Sequence, residues 1–522
     1  MQGKKHYQPK LFTTFKLHDR VPLNNFYRNL KGHLDLNFLY KGTRLYYGFC
    51  GQKSLDPVVF FKLCLVGYLE NIISDRKLID HCSMRMDILY FLDYDIDEEL
   101  PWHSTLSRTR QLFPEEVFEA VFTKVFTMCV EKGMVSGHTQ AIDSAPVKAN
   151  ASMDSLELKV PEEELEAHLH KVRYMSSPDR VGTRKAKENK APKEQRQINA
   201  TEEELKALKS RNKKWSEDQD QRVGAGNKGS KYTSNKTHYS PTDPDARISV
   251  KPGKARKLNY LGQMAVDTGH HVISHIQADL ANKKDNQCLP DIIPRLKSRL
   301  NGQGLFWQNI LADTAYSSGE NYALLEEQNL TSFIPPHGTY KGGPDGFTYH
   351  QEGNYYLCKN NKKLLFKGTK RNVKGILDDH YATRRRDCVA CPFKEGCKGK
   401  SHEKRIRITH FRAEYERAIA RIKSKRGRYM KGKRQSTVEP VFGTLTQFLG
   451  MRKVNTRGLR QANKVLLMAA VAYNIKKYLK FTNKTAHTHV NEGKLAALYF
   501  ISRFWAIVRL LAGSKIKNSI SY

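Results

Sequence analysis

The strand-like segments of this chain lie far apart, and their spacing restricts the fold more than any single motif. A β-prone run around Asp143 starts at Val135 (VSGHTQAIDSAPVKA), and similar text returns only at Leu258. Residues 155–242 between them are polar. PEEELEAHLHKV and TEEELKALKSRNKKW read there as charged helices in basic, Gly/Ser-rich text, an insertion partly helical and partly mobile. NYLGQMAVDT and HHVISHIQAD then alternate as two strands about a Gly-His turn. A helix over 287–300, an apolar strand ending at Asp313, a helix in GENYALLEEQ and a short strand in TSFIPP follow. Strands interleaved with helices describe an α/β core, a mixed sheet flanked by helices. A second interruption over 337–409 carries four of the nine cysteines.

Residues 1–132 read as helical. DPVVFFKLCLVGYLENI opens with Asp56 as N-cap and Pro57 at the first helical position, and its apolar residues cover most of the helix surface. A second helix is expected in SDRKLIDHCSMRMDILYFL. PWHSTLSRTRQLF, with Ser104 as cap, precedes an amphipathic run from Pro114 to Lys132. Arg108 and Arg110 on one element suit a DNA-binding unit, and a helical packing domain with a solvated basic face fits nearly as well. The core is expected over 133–480. ITHFRAEYERAIARIKSKRGRYMKGKRQSTVEPVFGTLTQFLG reads as a basic helix, a break at Gly427 to Gly432, and a new helix opened by Glu439. NKVLLMAAVAYNIKKYLKF is a further apolar helix, and 481–522 a helical tail.

Composition now matters for the partner. Lys and Arg number 89 against 53 Asp and Glu, a net +36, while 39% of residues are hydrophobic and 27% charged. That is a folded chain whose excess charge calls for a polyanion, most simply nucleic acid. Basic clusters recur in KGSKYTSNKTHYS, VKPGKARK, IKSKRGRYMKGKR and MRKVNTRGLR, and their sum implies phosphate neutralisation and steep salt dependence. Tyr429, among them, suits packing or stacking on an unpaired base. Nine cysteines are too few for a disulfide scaffold, no secretory h-region is visible, and Arg503 and Arg509 interrupt the apolar run 495–512. A soluble protein of a reducing cytosol is expected, with no membrane partner.

Three acids stand out by position. Asp143 sits in the first strand, Asp313 ends a later one and Glu439 follows a long interruption. Converging carboxylates repel unless cations neutralise them, and hard oxygen ligands suit Mg²⁺ or Mn²⁺. Two such ions, about 3.5–4 Å apart, clamp the attacking and leaving oxygens of an in-line displacement at phosphorus. Each acid has an equally good local explanation. Asp143, before Ser144 and Pro146, suits a turn, Asp313 a turn or cap, and Glu439 a capping box with Ser436.

The text HTQAIDSAPVKANAS, SPTDPDARISVKPGKARKLNYLGQMAVDTGHHVI, NILADTAYSSGEN and STVEPVFGTLTQFLGMRK resembles the DDE transposases of bacterial insertion sequences. It is nearest to the group numbered eleven eighty-two, and DPVVFFKLCLVGYLENIISDRKLI and PWHSTLSRTR are similar to that family's helical N-terminal domain. The resemblance runs in order from about Phe26 to Tyr478. It implies an RNase H-like core with Asp143, Asp313 and Glu439 as the metal-holding triad. It also implies double-stranded DNA as partner, both transposon ends and target, and a homodimer in the synaptic complex. The implied reaction is cleavage at the element's ends, then attack of the freed 3′-hydroxyls on target DNA. Relatives place an Arg shortly before the Glu, a place Arg434 fills as a phosphate ligand, and a Lys two turns after it. Here that position is Thr446, with Arg452 or Lys453 as candidate substitutes for DNA contact. A different Mg²⁺-dependent nuclease on the same fold, or an idle DNA-binding relative, are the competing readings.

Cys388-x-x-Cys391 forms a tight chelating pair, and Cys397 with Cys358 completes a candidate structural Zn²⁺ site. His402 and His410 are substitutes, and reduced unliganded thiols are the alternative. Cys50, Cys64, Cys82, Cys129 and Cys288 lie in apolar or helical contexts and read as core.

Overall fold

The computed structural model describes residues 5, 15–48, 54–158, 235, 238–249, 256–338, 340, 343–372, 375–398 and 401–483. Most of the charged insertion, Cys50 and the tail from 484 lie outside these residues. So do the two charged helices expected in the insertion and the apolar run 495–512. No described helix is long and apolar enough to cross a membrane.

Eight helices open the described chain: α1 (Leu17–Arg20), α2 (Phe26–His33), α3 (Phe38–Thr43), α4 (Pro57–Leu69), α5 (Asp75–Ser83), α6 (Met86–Leu92), α7 (His103–Leu112) and α8 (Glu115–Glu131). Asp56 caps α4 as its sequence requires, accepting from the Val58 and Val59 amides. That helix is buried nearly all round, which explains its lack of a polar face. The single helix expected after Ser74 is two, α5 and α6, parted at Met84 and Arg85. Ser104 does not cap α7. Trp102 stands at that position and makes no side-chain cap.

One sheet organises the centre. Its strands are β1 (Thr139–Lys148), β4 (Arg247–Ser249), β5 (Lys257–Asp267), β6 (Ile273–Leu280), β7 (Asn309–Leu311) and β8 (Thr331–Phe333), and a two-residue pair, β2 (Glu157–Leu158) and β3 (His238–Tyr239), joins the ends of the charged insertion. β5 lies antiparallel to β1 on one side and to β6 and β4 on the other, while β1, β7 and β8 run parallel. Helices α9 (Asp285–Asn301) and α10 (Gly319–Glu327) connect the later strands. The β5–β6 hairpin and these two helices match the alternation read from sequence. Residues 347–409 form a separate antiparallel sheet in the order β13-β12-β11-β10-β9, with β9 Phe347–His350, β10 Tyr355–Cys358, β11 Lys363–Arg371, β12 Leu377–Ala382 and β13 Arg405–Thr409. Two short helices, α11 (Arg385–Val389) and α12 (Lys394–Lys398), lie between β12 and β13.

Helix α13 (Arg412–Lys423) leads into α14 (Lys425–Phe448), and a last helix, α15, spans 459–483. The expected break at Gly427 to Gly432 is absent. The chain turns at Ser424, whose hydroxyl accepts the Gly427 amide, and α14 then runs unbroken past both glycines. Gly427 serves close approach instead, since a Cβ there would run into the Arg421 and Ile422 carbonyls. Glu439 therefore lies mid-helix and opens nothing.

Two apolar layers sandwich the sheet. One joins the N-terminal helices, Ala141 and Val147 of β1, the inner face of α14 (Val438, Val441, Leu445) and α15. The other packs Ile142 and Ala265 against α9 and α10. Burial of this extent, at about 25 cal/mol per Å², makes the sheet a rigid platform for polar groups at its edge.

Candidate active site

β1 and β7 pair in parallel register, Ala141 opposite Leu311. Two residues further on, the register brings Asp143 level with Asp313. Asp143 Oδ1 accepts the Ser144 amide at 2.8 Å, and Asp143 Oδ2 accepts Arg434 Nη1 from α14 at 2.6 Å. Asp313 caps a short 3₁₀ turn, accepting the Ala315 amide at 2.9 Å. The capping explanation for Asp313 and its place beside Asp143 are thus both true.

Burial pushes the Asp143 carboxyl up to about 6, and the charge of Asp313 adds to the rise while Ser144 and Arg434 oppose it. Asp313 is raised as well, by burial first and then by Asp285, against the pull of its backbone partners and Arg434. This is an oxygen-only, charge-repelling pair with one cationic neighbour, a donor set suited to a hard divalent ion. Glu439 is exposed, five residues beyond Arg434 on a helix that packs on β1, β5, β7 and β8. Among the described residues no three His, Cys, Asp or Glu side chains stand close enough to hold a metal. The structure therefore brings Asp143 and Asp313 together and leaves Glu439 outside a shared sphere.

Asp285 is the acid that sequence reading missed. It begins α9, accepts Gln263 Nε2 at 3.0 Å, and Gln263 in turn accepts the buried Tyr316 hydroxyl. Burial, then Asp285, Asp143 and Asp313 in that order, hold the Tyr316 phenol well above its ordinary range. In sequence Asp285 looks like an ordinary first-turn helix acid, and only its bond to Gln263 and its charge acting on Asp313 reveal it.

The basic residues divide. Arg108 is exposed and bonds only its own helix, at Ser104. Arg110, expected to face DNA, is 9% exposed and forks onto Asp75 at 2.7 and 2.8 Å, so it ties α7 to α5 instead. Arg434 is engaged with Asp143. Arg452 is exposed and Lys453 half-buried in the segment after α14, held by backbone contact to Lys148. Tyr429 is 65% exposed, which removes the packing explanation. The Thr446 hydroxyl donates to Phe442 O at 2.7 Å within its own helix.

A family model described as a transposase domain (DUF772) matches residues 15–112, and one described as a transposase DDE domain matches residues 357–479. Together the two matches support an insertion-sequence DDE transposase. In this transposase the first match covers α1 to α7. The second covers most of the added sheet, α14 with Arg434 and Glu439, and nearly all of α15. Asp143 and Asp313 lie outside both. Searches of the curated proteins and of the solved structures each gave no match.

The transposase's cysteines fall into two sets. Cys64, Cys82, Cys129 and Cys288 are buried, as their contexts require. Cys358, Cys391 and Cys397 line one cavity of about 650 Å³, while Cys388 sits buried with its sulfur 3.0 Å from Thr383 Oγ1. Three of the four share one space, and among the described residues no cysteine group forms a coordination sphere.

Proposed function

We propose that this transposase binds the terminal inverted repeats of its element, hydrolyses the phosphodiester at each end and joins the freed 3′-hydroxyls to target DNA. The observation that carries this reading is the parallel β1–β7 register, which sets two carboxylates side by side under an arginine. The strand order β6-β5-β1-β7-β8, three antiparallel and the last two parallel to β1, supports an RNase H-like core. Group eleven eighty-two is the reading that the quoted motifs favour.

Asp143 and Asp313 would hold Mg²⁺ or Mn²⁺, with Glu439 reaching in from α14. When bound, such ions supply Lewis acidity that lowers the barrier to displacement at phosphorus. The chain's own residues do the rest. Arg434 releases Asp143 and turns to the phosphate, where a planar fork suits two oxygens. Arg452, Lys453 and Arg108 draw the duplex to the site as point contacts to backbone phosphate. Water is the nucleophile in cleavage and the 3′-hydroxyl in joining, so no covalent protein–DNA link forms. Cutting two ends in one complex calls for a homodimer, and the bacterial cytosol is the setting such an element implies. We read the cysteine-lined cavity as a structural Zn²⁺ site within the added sheet.

Incubation with Mg²⁺ and a labelled element end, plus target plasmid, tests the reading. Strand-transfer product supports it, and nicking alone replaces it with a simple nuclease. Thr446 favours one second reading. With no lysine there, and a hydroxyl satisfied by its own helix, an idle DNA-binding relative would give a salt-sensitive mobility shift and no cleavage.

A further inference from the structure

A second polar site lies at the far end of β1. Lys148 closes that strand, Lys257 opens β5, and Lys453 belongs to the segment between α14 and α15. Backbone contacts fix all three. The Lys148 amide donates to Arg452 O at 3.2 Å and the Val454 amide to Lys148 O at 2.9 Å, so Lys148 and Lys453 sit side by side. Lys148 pairs with Asn259 of β5, two residues from Lys257. The three line one cavity of about 560 Å³, together with Asn150, Ser152 and Thr242.

Among the described residues lining this cavity there is neither a carboxylate nor an aromatic ring. Asp154, in the same turn, is exposed and accepts the Ser152 hydroxyl at 2.9 Å. Three lysines lining one cavity repel one another unless an anion is shared between them. Ammonium, hydroxyl and amide donors match the oxygens of a phosphate. Without a ring for a base to stack on, the cavity suits a phosphodiester backbone better than a free nucleotide. Lys148 is five residues beyond Asp143 on an unbulged strand, about 17 Å away and on the opposite face of the sheet, so the cavity is a site apart from the aspartate pair.

We propose that Lys148, Lys257 and Lys453 form a phosphate clamp that grips the backbone of bound DNA away from the aspartate pair. The choice of DNA rests on the function proposed above, while the phosphate chemistry rests on the cavity alone. The test measures binding of the metal-free full-length protein to a fluorescently labelled duplex by anisotropy, across a series of KCl concentrations. Each lysine that neutralises a phosphate contributes about 0.9 to the slope of log K against log salt. The triple variant K148Q/K257Q/K453Q should therefore flatten the slope by about 2.7, and K257Q or K453Q alone by about 0.9. A matched triple of exposed lysines elsewhere, K41Q/K124Q/K132Q, should leave the slope nearly unchanged. Circular dichroism verifies folding, and the single variants carry the test if the triple does not fold. An unchanged slope in the clamp variants, or an equal loss in the control triple, overturns the clamp. Wild-type protein that does not bind the duplex at all overturns instead the function on which the choice of DNA rests.

Discussion

Replacing Asp143 by Asn separates catalytic design from folding stability. The folded carboxyl titrates at about 6 against an ordinary 3.8, because burial and Asp313 outweigh Ser144 and Arg434. Below pH 3.8 the group is protonated whether the chain is folded or not, and it costs nothing. Between there and about 6 the folded form keeps a proton that the unfolded form has released, so stability is lost as pH rises through this window. Above it the loss is complete. A shift of about 2 units at 1.36 kcal/mol each gives ~3 kcal/mol. D143N cannot titrate and escapes that loss. The charge-assisted part of the Arg434 bond is already contained in that value of about 6, so it adds no separate offset. The difference between wild type and D143N should therefore swing by about 3 kcal/mol in favour of D143N from pH 4 to pH 8, at least ~3 °C in apparent melting temperature. The assay is a thermal melt of both proteins in EDTA across that range. Mg²⁺ at pH 8 should then stabilise wild type more than D143N, because the ion binds the folded carboxylate. Parallel pH curves for the two proteins would refute the argument, since they would mean that Asp143 is not held ionised at a cost.

Four further outcomes follow from the same geometry. Arg434→Gln removes the cation that an incoming ion must displace, so Mn²⁺ affinity measured by electron paramagnetic resonance should rise about tenfold while cleavage falls; weaker Mn²⁺ binding would show that Arg434 does not compete. Asp143→Ala, Asp313→Ala and Glu439→Ala should each abolish cleavage and leave DNA affinity nearly intact, and full cleavage by any one removes that residue from the triad. Metal analysis of purified protein should find about one zinc per chain, lost in C388S/C391S, and a folded zinc-free wild type refutes the cysteine reading. Arg110→Ala strands the half-buried Asp75 and should lower stability by about 3–5 kcal/mol in urea unfolding. Its DNA affinity, measured on protein that remains folded, should not change, and a weakened affinity would return Arg110 to the DNA surface.

Much of the central sheet was legible because its strands and helices are marked by apolar runs and turns. The β5–β6 hairpin is two apolar runs parted by a turn, and α9 carries the helical period of about 3.6 residues. The added sheet was not legible, because β11 reads KLLFKGTKR and exposes most of its residues, so no apolar alternation marks it. Arg110 looked like a surface base for a related reason. Its partner Asp75 lies 35 positions earlier, and only the packing of α7 on α5 joins them. Gly427 and Gly432 looked like a helix break because glycine carries the same signal whether it ends a helix or allows a close approach.

Glu439 is where local and global constraints meet least well. The apolar residues Val438, Val441 and Leu445 set which face of α14 meets the sheet, and Arg434 shares that face with them. Glu439 is one step of about 100° round the helix from Val438, which turns it away from the packed face and leaves it exposed. Pro440 follows directly and lacks the amide that would hold the preceding turn, so the helix is weakest at that point. With Arg434 on Asp143, the cationic neighbour lies on the side of α14 that faces the carboxylates and the third acid lies off it. A divalent ion held by Asp143 and Asp313 would reverse those preferences, since it would repel the guanidinium and attract a carboxylate. The apolar contacts still fix the face of α14, so the response open to the helix is a side-chain one, Arg434 leaving Asp143 and Glu439 extending toward the pair.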